Sequence, residues 1–187
     1  MRIYTRSGDD GSTGLFGGGR VGKDDPRVRA YGAVDEANAH LGVARAALAD
    51  DAELDALLAR LQHTLFTVGA DLATPAGAAA RAHLTPVTDA DVEELERTID
   101  AWDAQSPPLT AFVLPGGHPA SAALHVARAV LRRAERDTVA TARQYDLNPA
   151  AARWLNRCSD LLFVLARAAN VRTNSAETLW DPAAAGG

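Results

Sequence analysis

Apolar residues recur along most of this chain at alternating intervals of four and three. Leu54, Leu58, Leu61, Leu65, Val68 and Leu72 keep that rhythm, and so do Ala151, Leu155, Cys158, Leu162, Leu165 and Ala169. Such spacing puts one apolar stripe on a helix and suits it to bundle packing. Three further segments read the same way. Tyr31, Val34, Leu41 and Leu48 follow Pro26 at heptad-like spacing, and Val92, Leu95, Ile99 and Trp102 follow the weak capping box Thr88-Asp89-Ala90-Asp91. Leu124, Ala127, Leu131, Ala134 and Thr138 mark the buried side of a helix running from Pro119 to about Tyr145. Small Ala127 and Ala134 let a neighbouring helix come close. The breaks fall at Thr74-Pro75-Ala76-Gly77, at Ser106-Pro107-Pro108 and at Phe112-Val113-Leu114-Pro115-Gly116-Gly117-His118-Pro119. The pattern predicts an all-α, five-helix up-and-down bundle in a single domain.

Two stretches depart from this pattern. Thr5 to Gly19 is dense in Gly, Ser, Thr and Asp and cannot hold a helix. It reads as a loop of about twenty residues, a length that is uncommon without a function. Its backbone N–H groups, its hydroxyls and nearby Lys23 suit phosphates; a floppy tail is the plainer reading. Gly17-x-x-x-x-Gly22-Lys23 imitates a Walker A start, but Asp24 follows where Ser or Thr is needed, so the P-loop reading is rejected. From Asn174 to Gly187 the tail thins and is expected to lack structure.

The candidate chemistry sits on the fourth helix. Arg128, Arg132 and Arg136 lie four residues apart, along one slowly drifting face. Like charges so placed repel by roughly 0.2–0.5 kcal/mol per pair. A helix tolerates such a ladder best against something anionic, either carboxylates from elsewhere in the fold or a polyphosphate, which suits forked Arg donors. Asp35 follows the apolar residue Val34, and the residues alone do not show whether it meets the ladder. Asn156, Arg157, Ser159 and Asp160 form a polar cluster in the last helix, exposed, in a helix–helix contact, or aimed at a ligand. Phe112, read alone, fills core.

Composition narrows the classes. The chain has 187 residues, is 47% hydrophobic and carries a net charge of -5, which argues against a general nucleic-acid binder. One cysteine, Cys158, excludes a disulfide framework and a Cys-based zinc site within one chain, and its place on the apolar seam makes it an inert buried thiol. His63 has no helical partner, so no side-chain metal site is assigned. No run approaches the ~20 apolar residues of a membrane span. The first residues hold no signal-peptide core, so a soluble cytoplasmic protein is expected. On physics alone, the chain is a bundle that binds a nucleotide through its basic ladder and loop donors.

Three separated motifs then carry a resemblance. The first is Ile3-Tyr4-Thr5-x-x-Gly8-Asp9-x-Gly11-x-Thr13, with Lys23 and Tyr31-Gly32-x-Val34-Asp35-Glu36 downstream. The second is Phe112-x-Leu114-Pro115-Gly116-Gly117, followed by Arg128-x-x-x-Arg132-Arg133-Ala134-Glu135-Arg136. The third is Leu155-Asn156-Arg157-x-Ser159-Asp160-x-x-Phe163. In order and spacing, from residue 3 to about residue 170, the chain resembles the PduO-type ATP:cob(I)alamin adenosyltransferases, the corrinoid adenosyltransferases.

The resemblance implies one adenosyltransferase domain over 1–187, with an ATP loop at 1–26, the helical bundle at 27–172 and a tail at 173–187. It implies a homotrimer with sites between subunits. Thr5, Arg6, Ser7, Gly8, Thr13 and Lys23 would bind ATP from the loop, and Arg132, Arg133, Glu135, Arg136 and Asn156 from the helices. Asp35 and Arg128 match an ion pair across the subunit interface, and Phe112 a residue that packs below the corrin ring. Arg132, Asp35, Arg128 and Phe112 would be the catalytic set, with Phe112 and Asp35 on the cobalamin side. The implied reaction moves the 5′-deoxyadenosyl group of ATP to the cobalt of cob(I)alamin and releases triphosphate, with Mg²⁺ accompanying ATP. A reductase or other reductant would supply Co(I), and a B12-dependent mutase or dehydratase would use the product. Tail residues that close the corrin pocket in some members have no recognisable counterpart here. The other readings are a non-catalytic escort or sensor that binds ATP or adenosylcobalamin, and a structural coiled coil.

Overall fold

A computed structural model describes residues 3–48 and 50–186. Expectations that fall on Met1, Arg2 and Gly187 lie outside the described residues. The five expected helices are α1 (Pro26–Ala46), α2 (Ala52–Ala73), α3 (Asp89–Asp103), α4 (Pro119–Thr141) and α5 (Pro149–Arg172). Each starts where local chemistry dictates. Asp25, Asp51, His118 and Asn148 cap α1, α2, α4 and α5 through their side chains, and Pro occupies the first turn of α1, α4 and α5. Both halves of the Thr88/Asp91 capping box form at α3.

The apolar stripes meet in one core. Every stripe residue of α2, α4 and α5 named above is buried. In α1, Val34 and Leu41 are buried, as is Leu48 just past its end, and Tyr31 packs partly against the core; Ile99 does the same in α3. The extensive contacts run α2–α1–α4–α5–α3, so α1 and α4, remote in sequence, lie side by side. Alanine makes that approach possible: Ala30, Ala37, Ala44, Ala127 and Ala134 are all fully buried.

One end of the bundle is tied by buried polar groups. Arg27 donates to Leu72 O at 2.6 Å and Thr74 O at 3.2 Å, satisfying carbonyls that the end of α2 leaves free. Its guanidinium lies 4.5 Å from the Tyr145 ring centroid, and the Tyr145 hydroxyl donates to Asp25 at 2.6 Å. That need ends α4 at Thr141 rather than near Tyr145, because the chain must turn to bring the ring back to α1. Arg81 and Asn148 both bond the buried Asp71 carboxylate, tying the 74–88 connector to the start of α5.

Two segments expected to lack regular structure have it. In the N-terminal segment, β1 (Ser12–Gly14) pairs antiparallel with β2 (Arg20–Gly22), Thr13 opposite Val21. Gly17, Gly18 and Gly19 all have positive φ (89°, 113° and 82°), and this run closes the hairpin. In the tail, β4 (Thr178–Leu179) pairs with β3 (Val113–Leu114), Val113 opposite Leu179. Composition could not foretell either pairing, since short strands gain their stability from a partner and not from propensity.

Candidate functional site

The arginine ladder of α4 faces outward. Arg132, Arg133 and Arg136 are exposed and Arg128 is half-buried, with its Nε buried and unbonded. Among the described residues, Arg133 reaches a carboxylate, Glu36 of α1, whereas Arg128, Arg132 and Arg136 reach none. Of the two anions that would quiet the ladder, carboxylates of the same chain are therefore not the ones supplied.

Grooves run along both sides of it. Arg128 and Arg132 line one of about 300 Å³ with Ser159, Asp160 and Phe163. Burial pushes the Asp160 carboxyl up from the usual carboxylate range, while Arg157 and Arg132 pull it back. Arg128, Arg133 and Arg136 line a second, of about 410 Å³, with Pro115 and His125. His125 is 3% exposed, neither ring nitrogen has a partner, and its ring meets Phe163 edge-on at 6.0 Å. Burial, then Arg128, hold its pKa below the ordinary value. Sequence reasoning passed over His125; the available signal was its place one helical turn before Arg128.

The polar cluster of α5 divides: Asn156 and Arg157 make helix–helix contacts, whereas Ser159 and Asp160 line the groove. Asn156 Nδ2 donates to Glu135 Oε1 at 3.1 Å, and Arg157 donates to Asn156 Oδ1 at 2.6 Å and to Glu96 of α3 at 2.7 Å. Arg157 and Glu96 thus fix two expected site residues, a role no spacing within α5 could reveal. Ser159 bonds back to Asn156 O, and burial pushes the Cys158 thiol well up, so it is the inert thiol expected.

The hairpin gathers the loop residues. Thr5 and Ser7 share a hydroxyl hydrogen bond of 2.8 Å, and Arg6 holds the left-handed conformation at φ 62°. A Cβ on Gly8 would lie 2.8 Å from Ser12 O and 3.4 Å from Lys23 Nζ, so the glycine lets the lysine fold over the turn. Arg20, which the sequence reading did not single out, donates to Ser7 O and to Ser12 Oγ and closes the hairpin base. The hydroxyl and amide of Ser12 hold the exposed Asp10 carboxyl below the usual range.

Phe112 does not fill the core: it is 79% exposed. Its ring meets Trp180 edge-on at 6.2 Å, and its carbonyl accepts from Trp180 N at 2.7 Å. The turn after it is pinned by Asn170, which accepts from His118 N at 2.8 Å and donates to Gly116 O at 3.2 Å. Gly117, at φ 91°, is required there, because a Cβ would collide with the Asn170 amide.

Within one chain these parts form two groups. Among the described residues, no hydrogen bond or ion pair joins Thr5 to Lys23 with α4 or α5, and Asp35 is exposed with no side-chain partner. Glu135 and Asn156 are together, as are Arg128 and Arg132; among the described residues the hairpin is bonded to neither pair. No cluster of three or more His, Cys, Asp and Glu in the described residues is placed to hold a metal ion.

The model of one protein family, cobalamin adenosyltransferase, matches residues 3–169. A corrinoid adenosyltransferase from Mycobacterium tuberculosis is 45% identical over 183 residues, 97% of this chain and 93% of its own length. One from Citrobacter freundii is 48% identical over 166 residues, 89% and 93% of the two chains. A solved variant of the PduO-type ATP:corrinoid adenosyltransferase from Lactobacillus reuteri, complexed with cobalamin and ATP, superposes with a TM-score of 0.89 at 37% identity, covering 96% of this chain and 99% of that one.

Proposed function

Because the chain belongs to the cobalamin adenosyltransferase family, we propose that the hairpin and the α4–α5 arginine face are two halves of one ATP site, joined between subunits. The protein is an ATP:corrinoid adenosyltransferase. It transfers the 5′-deoxyadenosyl group of ATP to the cobalt of cob(I)alamin, forming adenosylcobalamin and releasing triphosphate.

The chemistry asks little covalent work of the protein. Co(I) is itself the nucleophile: its electron pair forms the Co–C5′ bond as the C5′–O bond breaks, and triphosphate leaves with the electrons. What the chain must supply is position and charge. In this reading Arg132, Arg133 and Arg136 take the phosphates, with Lys23, Thr5, Arg6, Ser7, Gly8 and Thr13 closing over them from the neighbouring subunit. Arg133 would exchange Glu36 for phosphate. Glu135 and Asn156, held by Arg157, hold the nucleoside side of the ATP. Mg²⁺ would enter on the triphosphate oxygens.

The observation that carries the reading is the ladder itself: among the described residues Arg132 and Arg136 reach no carboxylate, and each lines a groove. That no hydrogen bond or ion pair joins hairpin and ladder among the described residues of one chain supports a homotrimer whose sites lie between copies, with Asp35 of one subunit meeting Arg128 of the next. Phe112, exposed on its ribbon, would lie under the corrin and keep the lower axial base away. A four-coordinate Co(II) is easier to reduce, because removing axial donors lowers the orbital that accepts the electron. The electron comes from a separate reductant, and a B12-dependent mutase or dehydratase would take the product. A cytoplasmic location belongs to the same proposal, since the reaction consumes ATP.

The test is direct. Protein, ATP, Mg²⁺ and chemically reduced cobalamin should yield the light-sensitive adenosylcobalamin spectrum and stoichiometric triphosphate. Tight binding of ATP or adenosylcobalamin without triphosphate would replace this reading with the escort or sensor.

A further inference from the structure

The ribbon bearing Phe112 is fastened by one side chain in the core. Arg167 of α5 is 2% exposed. Its Nη2 donates to Pro107 O at 2.7 Å, five residues before Phe112. Its Nε and Nη2 also hold the Glu177 carboxylate at 3.1–3.3 Å, one residue before β4. Asp103 Oδ1 lies 3.8 Å from Nη1. The two strands that pair as β3 and β4 therefore leave the same guanidinium before they meet. One turn further along α5, Asn170 pins the chain again at Gly116 and His118. Between these two fixed points stand the exposed Phe112 ring and the Trp180 ring beside it.

A guanidinium is rarely taken out of water to anchor a surface ribbon, because its desolvation must be offset by several well-made bonds. Here Nη2 meets a backbone carbonyl while Nε and Nη2 together grip a carboxylate, a planar two-nitrogen hold that an ammonium does not reproduce. The bonds fix the register of β3 against β4, and with it the height of Phe112 above the bundle. The ring is 79% exposed and meets Trp180, which follows Glu177 three positions along the chain.

We infer that Arg167 is a positioning residue for the corrin side of the reaction, setting Phe112 where it displaces the lower axial base. Trp180 is the second wall of the same face. This rests on the reading of Phe112 given under the proposed function. A role in fold stability alone would weaken every substrate equally. A role through Phe112 shows only when the corrinoid carries a base to be displaced.

The experiment compares two corrinoids on the full-length protein: Co(II) cobalamin, which has a tethered lower base, and Co(II) cobinamide, which has none, with a chemical reductant. Arg167→Lys keeps the charge but loses the fork. Its kcat with cobalamin should fall about tenfold or more, while kcat with cobinamide and KM for ATP stay within about twofold. With ATP and cob(II)alamin bound, its electron paramagnetic resonance spectrum should show less four-coordinate Co(II) than the parent. Should Arg167→Lys fail to fold by circular dichroism, Glu177→Gln carries the same comparison. Equal loss with both corrinoids, or loss with neither, overturns the inference. Phe112→Ala is the reference: if its loss is not selective for cobalamin, the reading of Phe112 falls and this inference with it. An inactive parent protein would instead refute the proposed function.

Discussion

Asn156 of α5 donates its amide to Glu135 of α4 at 3.1 Å, and its carbonyl accepts from Arg157 at 2.6 Å. The amide is thereby read from both sides, one acceptor and one donor, and only Asn fits. Asn156→Asp would set a second carboxylate beside Glu135 and add charge next to an anionic substrate. The lost bond is worth about 1–3 kcal/mol, so ATP affinity should fall by roughly 5- to 150-fold, as read by calorimetric titration. Unchanged affinity would remove Asn156 from the site.

Among the described residues Arg132 has no hydrogen-bond or ion-pair partner, and it repels Arg128 and Arg136 on the ladder. Arg132→Ala should therefore leave the melting temperature unchanged or raise it slightly, since it removes two like-charge pairs worth about 0.2–0.5 kcal/mol each. The same change should lower kcat/KM for ATP by roughly 10- to 100-fold, as a charged hydrogen bond is worth about 1.5–3 kcal/mol. Scanning calorimetry and steady-state kinetics on one preparation check both signs. A destabilised fold would mean that the ladder is structural.

Among the described residues Asp35 and Arg128 are each unpaired within one chain, and the proposed homotrimer would bring them together. Asp35→Arg should put two guanidiniums together across the interface and weaken the assembly seen by sedimentation velocity. Adding Arg128→Asp should restore it, with a coupling of about 1.5 kcal/mol or more. A double variant no better assembled than either single one would show that the two do not meet.

His125 gives a stability that depends on pH. Its folded pKa is held below the ordinary 6.5 by burial and Arg128. The unfolded chain thus binds the proton more readily, and stability falls as pH drops below about 6.5. His125→Leu should flatten that part of the melting profile without lowering stability at pH 8, because neither ring nitrogen makes a bond to lose. Asp160 acts with the opposite sign, its raised carboxyl favouring the folded state at low pH and losing that contribution as pH rises through its folded pKa. An unaltered slope in the variant would assign the acid limb elsewhere.

Much of the fold was legible because helices are local. The four-three rhythm, the Pro starts and the Thr88 capping box act within four residues, and the five helices lie where they placed them, α4 alone stopping short of its expected end. The motifs were legible too, through order and spacing. What could not be read were pairings between residues far apart. Glu36 selects Arg133, 97 positions away, and among the described residues Arg128, Arg132 and Arg136 meet no carboxylate. Pro107 and Glu177 converge on Arg167 from opposite sides.

Phe112 shows the division most plainly. By itself it is an apolar residue in an apolar connector, and the sensible expectation was burial. It stands exposed because β4 arrives from the tail to pair its backbone, and because Arg167 and Asn170 leave it no freedom to sink. The sequence by itself determined the five helices, the ladder and the membership that the motifs carry. The tertiary structure decided which arginines stay unpaired and which aromatic ring faces out, because burial and charge pairing are settled only when distant segments meet.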